Sequence, residues 1–461
     1  MTKKILWIAG KKNYEEINNL IKPRGNVELA SVLVNLEKYP WWEGGSIPVP
    51  VYTFSWLLSG HGKAQKEVEF IEEYEIALSN IFSDSRSFYL IERLFRSELG
   101  GSVFNSSIKI EKIVWNSLAI LRRHGIDRVI SGETPHGIQW FLAKTAEAVG
   151  VDVLRIHRSP LPTRKWVSRG IEGVHPILPV ISNRIQADSE VDMKLVRDYV
   201  AKLRSTYEDA IPSYEKRRQE TYKGKFFSWP IEIRSVVKNR GLRGYKICRS
   251  VFEILRKKRE LSSYVSLSSS YSNKKKQLVF FLHYQPERTT LPEGGRYVQQ
   301  WLIIRALSIA LPLGWQLVVR EHPSTFRYVY DSSTRPQGFY EEISALPNTV
   351  LAPLELSPFQ LMEESTAIAT VTGTVGVEAI IRGTPVLCFG NASYVDMPGV
   401  SAVANAVEAR EILKKLDDGV LQMPTDAEVE AYFEWVLERC PSANGVQSQT
   451  HSCIREALNV P

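Results

Sequence analysis

Short apolar runs alternate with polar loops and with segments of helical periodicity along most of the chain. Residues 5–9 predict a first strand, and apolar residues recur at helical spacing over 110–123, where Gly125 supplies the stop. A β-α-β unit follows, with strands at 126–131 and 151–156 around a helix at 137–149. The remaining predicted elements are strands at 278–282, 316–320 and 350–353, and helices at 65–82, 297–311, 357–364, 426–439 and 447–458. This alternation predicts an α/β protein with parallel sheets.

The segment 370–390 predicts one strand–loop–helix–strand unit. Thr372, Gly373 and Thr374 lie where the strand gives way to the helix, so hydroxyls and free backbone N–H groups are expected to converge there on a phosphate. Glu378 follows Thr374 by about one helical turn and is a candidate acceptor for sugar hydroxyls. The alternative is an ordinary α/β crossover with a tight turn and a solvated Glu378.

Two more polar loops follow strands of the same half, at 285–290 and 321–324. Because the carboxyl ends of parallel strands meet at one edge, we expect these loops and 372–374 to share a rim. The rim residues suit a nucleotide-sugar, with donors for phosphate and acceptors for hydroxyls. They are Glu287, Arg288, Thr289, Arg320, Glu321, His322, Ser357, Thr372, Thr374 and Glu378.

In the first half, Glu133 and His136 follow a predicted strand and are candidates for acid–base or nucleophilic chemistry. They are equally compatible with capping of the following helix.

Composition and the absence of certain motifs restrict the possible classes of function. With 461 residues, two or three domains are expected, and the four scattered cysteines indicate neither a disulfide framework nor a zinc site. A protein without a signal peptide or a membrane-spanning run is expected to be cytoplasmic. No Walker loop, dinucleotide fingerprint or D-x-D metal clamp occurs, so a metal-independent sugar-nucleotide enzyme without a cofactor is favoured.

The net charge of +7 is concentrated in one segment. Residues 215–260 contain fifteen Lys/Arg and five Asp/Glu, interspersed with aromatic residues. This basic arm suits an anionic inner-membrane surface or a polyanionic substrate, and the alternative is a solvated arm without a partner. Nucleic acid is not expected, because no binding motif accompanies the charge.

The serine- and lysine-rich composition of residues 262–276 predicts a linker between two domains. The expected domains are therefore 1–261 and 277–424, followed by helices over 425–461.

Three motifs together resemble the capsule polysaccharide biosynthesis proteins, which include retaining β-Kdo transferases. They are Gln285-Pro286-Glu287, Glu321-His322-Pro323, and Thr372-Gly373-Thr374 followed by Glu378 and by Gly383-Thr384-Pro385. Two of these motifs, His322-Pro323 and the hydroxyl-rich turn 372–374, also resemble, more distantly, the corresponding motifs of bacterial sialyltransferases that use CMP-sugars. The resemblance covers about residues 278–400 and is weak before the linker.

The resemblance implies a GT-B glycosyltransferase, with two Rossmann-like domains facing across a cleft. By this resemblance, 1–261 would be the acceptor-side domain, 277–424 would bind the nucleotide-sugar, and the helices over 425–461 would return to the first domain. The resemblance further implies that His322, Pro323, Ser357, the 372–374 turn and Glu378 bind the CMP part of the sugar donor. The donor sugar would lie against Gln285, Arg288, Arg320 and Glu321. The acceptor would be a glycan or glycolipid of the bacterial surface.

As a mechanistic hypothesis, Glu133 is the first candidate nucleophile of a retaining reaction, with His136 positioning it or moving the acceptor proton. Glu287 is the second candidate. A UDP- or GDP-sugar transferase, an epimerase of the UDP-GlcNAc 2-epimerase type and a non-catalytic capsule assembly component are the competing interpretations.

Overall fold

The structure is a computed structural model. It describes residues 3–8, 27–34, 50–59, 71–83, 103–132, 137–162, 164–178, 186–205, 228–231, 233–234, 244–268, 276–284, 290, 293–326, 335–441, 452–453, 456–457 and 460. The chain divides into two compact units, one of residues 1–192 and 433–461 and one of residues 193–432.

The first unit is built on a six-stranded sheet of order β3-β2-β1-β4-β5-β6. Neighbouring strands are parallel, except that β6 runs antiparallel to β5. The strands are β1 (Lys3–Ile8), β2 (Val27–Val34), β3 (Val51–Thr53), β4 (Arg128–Ser131), β5 (Asp152–Arg158) and β6 (Lys165–Arg169). The helices in this part of the chain are α1 (Phe54–Ser59), α2 (Ile71–Ser83), α3 (Val103–Arg123) and α4 (Gly137–Ala148).

Helix α3 shows how the hydrophobic pattern produces this packing. Ile110, Ile113, Val114 and Leu118 recur at helical spacing and are all fully buried. The helix is followed by Gly125 at φ +56°, a left-handed conformation that glycine adopts without strain. The predicted helix and its stop are thus confirmed, although the helix begins seven residues earlier than the apolar pattern.

The second unit is built on an all-parallel six-stranded sheet of order β12-β11-β10-β7-β8-β9. The strands are β7 (Gln277–Phe281), β8 (Gln316–Arg320), β9 (Thr349–Leu351), β10 (Ala367–Thr370), β11 (Val386–Cys388) and β12 (Val400–Ala402). The helices that follow α4 are α5 (Gln186–Ser205), α6 (Gly244–Ser268), α7 (Gln300–Ala310), α8 (Phe339–Ser344), α9 (Pro358–Glu363), α10 (Val375–Ile381), α11 (Ala406–Asp417) and α12 (Asp426–Glu438). Short 3₁₀ helices span Gly295–Val298 and Pro323–Phe326.

Both sheets have the doubly wound strand order 3-2-1-4-5-6 when each is numbered from its own first strand. The predicted α/β class with Rossmann-like parallel sheets is therefore confirmed for each unit. In such sheets ligands bind at the carboxyl ends of the strands where the order reverses. In the second unit that point lies between β7 and β10.

The serine-rich stretch expected to be a linker continues helix α6 as far as Ser268. Tyr264 in this stretch is fully buried, and its hydroxyl donates to Ala352 O at 2.6 Å. Leu261 and Leu267, which lie three residues before and three residues after Tyr264, pack on the same core, and this spacing is the helical signal within the serines. The boundary between the units accordingly falls at residues 192 and 193 rather than at 262–276, and residues 433–461 belong to the first unit.

Across the described residues, no helix combines the length and the apolar character needed to cross a bilayer.

Candidate functional site

The ends of β7 and β10 are joined through a buried histidine. Nε2 of His283 lies 3.1 Å from Oγ1 of Thr370 and accepts a long hydrogen bond from the backbone N–H of Thr372, 3.4 Å away. His283 follows β7, and its own backbone is held by the side-chain amide of Gln300. The loops after β7 and β10 therefore meet at the point where the strand order reverses.

The turn after β10 is held from several sides. The N–H of Gly373 donates to Thr370 Oγ1 at 3.2 Å, and the buried hydroxyl of Tyr394 donates to Gly373 O. Thr372 is buried as well. The sequence analysis expected free backbone N–H groups here, but those of Thr372 and Gly373 are engaged within the protein. These bonds fix the shape of the turn, and Thr374 is its exposed member.

Gly376 makes room for Tyr394. A Cβ atom at residue 376 would lie 2.5–2.7 Å from the Tyr394 ring and hydroxyl, which is well inside van der Waals contact. Because Tyr394 is buried and holds Gly373, it has little freedom to move away.

We expect Gly376→Ala to destabilise the second unit by about 1–3 kcal/mol through overpacking. The measurement is the urea unfolding midpoint. Gly132→Ala is the matched control, because a Cβ there meets nothing within 4 Å, and its effect should stay within about 0.5 kcal/mol. Equal midpoints for the two variants would contradict the role given to Gly376.

The loop after β8 is anchored by a buried ion pair. Glu321, which is fully buried, accepts from Arg335 Nε at 2.8 Å and Arg335 Nη2 at 2.9 Å. Tyr340 and Thr325 donate their hydroxyls to the same carboxylate, and the N–H of His322 donates to it at 2.8 Å. Burial alone would raise the pKa of Glu321, but Arg335 and these donors hold it below its usual value.

Arg335 also ties this loop to the end of β7. Its Nη2 donates to His283 O at 2.9 Å while it binds Glu321. Through His283 and Arg335, the loops after β7, β8 and β10 are connected by direct hydrogen bonds. The structure thus brings the 321–324 and 372–374 loops together with His283 at the end of β7, whereas residues 285–289 of the predicted rim lie outside the described residues.

His322 is half-buried at this rim, beside Tyr284, with their ring centroids 5.8 Å apart. Its Nδ1 accepts from the N–H of Ser324 at 3.2 Å, at the start of the 3₁₀ helix that begins at Pro323. A neutral imidazole that accepts at Nδ1 carries its proton on Nε2. In the neutral form, His322 would therefore be a hydrogen-bond donor through Nε2.

Arg320 and Ser357 hold neighbouring backbone. The buried guanidinium of Arg320 donates to the carbonyls of Pro353, Leu354 and Leu356 at 2.8–3.1 Å. Burial lowers the pKa of Arg320. Ser357 caps helix α9 by accepting from the N–H of Phe359 at 3.3 Å.

Glu378 is a half-buried carboxyl on α10, one turn after Thr374. Burial raises its pKa to about 7, against the opposing effects of a hydrogen bond from the Thr374 side chain and of the nearby Arg382. Tyr199 is close enough for the Glu378 charge to raise the pKa of its hydroxyl. Near neutral pH this carboxyl therefore exists in both protonation states.

Six predicted site residues lie outside the described residues: Glu133, His136, Gln285, Glu287, Arg288 and Thr289. The structure describes their flanks, since β4 ends at Ser131 and His283 and Tyr284 follow β7. Their roles stay predictions, as do the ligand contacts predicted for the described residues. Within the described ranges, no group of three or more His, Cys, Asp or Glu side chains is arranged to hold a metal ion.

Four further residues of this rim, all of them buried and polar, were not predicted from the sequence: His283, Arg335, Tyr340 and Tyr394. His283 was detectable, because it directly follows an apolar strand run in the same way as the residues that were chosen. The other three lie at a distance from any motif, and nothing local in the sequence distinguishes them.

Residues 299–427 match the family model described as capsule polysaccharide biosynthesis protein. This segment is similar to the capsule polysaccharide biosynthesis proteins over that range. It contains the His322 loop, the 372–374 turn and Glu378, so the predicted resemblance is confirmed where the candidate site lies.

The chain also has weak similarity to solved structures, among them the following three. The KpsC β-Kdo 2,4 transferase of Thermosulfurimonas dismutans is 13% identical over 68% of this chain and 88% of its own, with a TM-score of 0.29. The UDP-GlcNAc 2-epimerase of Neisseria meningitidis is 11% identical over 95% and 99%, with a TM-score of 0.26. Anabaena HepE in complex with UDP-glucose is 12% identical over 99% and 100%, with a TM-score of 0.27.

These identities and TM-scores are too low to transfer a substrate or an activity. No curated protein sequence matches the chain.

Proposed function

We propose that the chain is a glycosyltransferase of capsule or related surface polysaccharide synthesis, and that it transfers an acidic 2-keto sugar, Kdo or a nonulosonic acid, from a CMP donor. The observation that supports this most is the rim of the second unit. There His322 and Thr374, which resemble part of a CMP-sugar site, lie in the matched family segment on loops that His283 and Arg335 join by buried hydrogen bonds, and Glu378 follows on α10.

The donor phosphate would be held by His322 and Thr374. His322 would donate through Nε2, and Thr374, which is exposed at the start of α10, would turn its hydroxyl from Glu378 to the phosphate. Because the amides of Thr372 and Gly373 already have partners, we assign those two residues to shaping the turn. A preorganised donor such as Nε2–H would stabilise the charge that develops on the departing phosphate.

Glu378 would accept hydrogen bonds from hydroxyls of the nucleoside or sugar in its ionised form. Gln285 and Arg288 are proposed to face the donor sugar, where Arg288 would pair with its carboxylate. Arg320 and Glu321 are proposed to act from inside the protein. Their side chains hold backbone at the rim, and every contact described above for them is made within the protein.

For the reaction, we propose attack of a carboxylate oxygen on the anomeric carbon while the bond from that carbon to the phosphate oxygen breaks. The bonding electron pair leaves with CMP, and the acceptor hydroxyl then displaces the carboxylate with retention of configuration. Glu133 is the first candidate for the nucleophile and Glu287 the second, with His136 placed to position the nucleophile or to move the acceptor proton. The acceptor would be a glycan or glycolipid, and no metal or cofactor is required by this scheme.

The first test is thermal stabilisation of the purified chain by CMP, UMP, UDP and GDP. A ligand at about 100 times its dissociation constant adds about 2.7 kcal/mol to the folded state, so binding gives a clear rise in melting temperature. We expect a rise with CMP alone, and we expect His322→Ala to abolish it because the phosphate loses its imidazole donor.

His175→Ala is the matched control, since His175 is an exposed imidazole in the first unit and should leave the CMP response intact. A rise with UDP or GDP in place of CMP would refute the donor assignment. No rise with any nucleotide would favour a non-catalytic assembly component.

A further inference from the structure

Helix α6 presents two very different faces. Its inner face is docked on the second unit through the fully buried Ile254 and Tyr264. Lys257 is also buried, and its Nζ donates to Thr325 O at 2.7 Å. Positions 254, 257, 261, 264 and 268 fall on one side of a helix with 3.6 residues per turn. The opposite side is therefore directed away from the core of this unit.

The outer face of α6, which we define as Val251, Phe252, Leu255, Lys258 and Arg259, is apolar and basic at once. Phe252 is 68% exposed, Leu255 50% and Val251 38%. Single exposed apolar residues are common, but a cluster of large, exposed apolar side chains on one helical face is unusual. Lys258 and Arg259 are exposed beside them.

A second aromatic residue lies next to this face. The Nζ atom of Lys258 is 5.5 Å from the ring centroid of Trp229, a cation–π contact that places an indole beside the outer face. Trp and Phe with Lys and Arg are the residue types that bind the interfacial region of an anionic bilayer. Glu341 lies near Arg259 and offsets part of its charge, so Lys258 is the better candidate for a lipid phosphate.

From these observations we infer that the outer face of helix α6 is a docking surface for an anionic lipid bilayer. The apolar residues would enter the boundary between headgroups and acyl chains, and the basic residues would meet the phosphates. Charge complementarity favours this occupant over a neutral protein groove, because residues 215–260 carry fifteen basic and five acidic side chains. The helix is about 10–12 Å across, so the Thr325 loop would lie one helix diameter from the bilayer.

The test is co-sedimentation of the full chain with phosphatidylcholine vesicles that contain or lack phosphatidylglycerol. We expect binding to the anionic vesicles only, and loss of most of it when salt is raised from about 0.1 M to about 0.5 M. Phe252→Ser with Leu255→Ser should weaken binding at least about tenfold. Lys258→Gln with Arg259→Gln should weaken it about fivefold for each charge removed.

The matched control is Ile309→Ser with Val407→Ser, two exposed apolar residues on α7 and α11, and it should bind like the wild type. Circular dichroism must show that all variants are folded. The inference is overturned if anionic vesicles do not bind the wild type, if vesicles without phosphatidylglycerol bind it equally, or if Phe252→Ser with Leu255→Ser binds normally. It is also overturned if light scattering shows a wild-type dimer that this double variant makes monomeric, because the face would then be a contact between copies.

Discussion

Replacing Arg335 with methionine should destabilise the second unit by about 3–5 kcal/mol at neutral pH, because the fully buried carboxylate of Glu321 would lose its cation. Tyr340, Thr325 and the N–H of His322 would still donate to that carboxylate. The expected loss of stability is therefore smaller than that for a fully isolated buried charge. The measurement is urea unfolding, with hydrogen exchange across β8 to assign the loss to the second unit.

The pH dependence of this effect has a defined sign. In the wild type the pKa of Glu321 is lowered, so its ion pair contributes stability that is lost as pH falls through that pKa. Without Arg335 the same carboxyl should protonate more readily, so the difference between Arg335→Met and the wild type should shrink towards acid pH. Adding Glu321→Gln to Arg335→Met should recover part of the stability at neutral pH, because no buried charge is left.

Arg204→Met is the matched control, since Arg204 pairs with Asp426 through side chains that are 40% and 73% exposed. Exposed pairs contribute less than about 1 kcal/mol. An Arg335→Met loss no larger than that of Arg204→Met would show that the buried pair does not anchor the loop.

The positions of the site loops could be predicted from sequence, but their buried partners could not. The loop positions follow from local pattern, because an apolar run followed by a polar loop in a parallel sheet places that loop at the carboxyl edge. The buried hydrogen-bond partners of these loops do not follow from local pattern. Glu321 and Arg335 are 14 residues apart, His283 and Thr370 are 87 apart, and neither pair has a characteristic spacing.

The fold was also predictable from local pattern. The main difference between the predicted and the observed fold, at the expected linker, has a physical cause. Alternating strands and helices are encoded by local periodicity, which defined the α/β class and most element positions. Serine composition suggested a linker at 262–276, yet Leu261, Tyr264 and Leu267 bury the last turns of α6 against the core. Three well-spaced apolar residues outweighed the composition of their neighbours, because burial of a side chain as large as Tyr264 contributes about 1.5–3 kcal/mol.

Glu378→Gln should stabilise the second unit by about 2–3 kcal/mol at pH 8 and by very little near pH 4.5. The pKa of Glu378 is raised from 4.5 to about 7, so the folded wild type retains a proton that the unfolded chain releases between these values. Wild-type stability therefore falls as pH rises through this window, and a neutral glutamine removes that loss. The measurement is urea unfolding at several pH values from 4.5 to 8. Glu411→Gln, an exposed carboxylate on α11, removes one charge as a control and should leave the wild-type pH profile in place.

A carboxyl whose ionisation destabilises the fold is retained at a cost, and ligand binding is the simplest reason for that cost. If Glu378 accepts hydrogen bonds from the donor, Glu378→Gln should bind CMP-sugar more weakly although it unfolds less readily. Wild-type affinity should also fall as pH drops below about 7, where Glu378 gains its proton. A stabilised Glu378→Gln variant with unchanged affinity would instead make this carboxyl a structural feature of α10, and it would leave His322 and Thr374 as the donor contacts of the described rim.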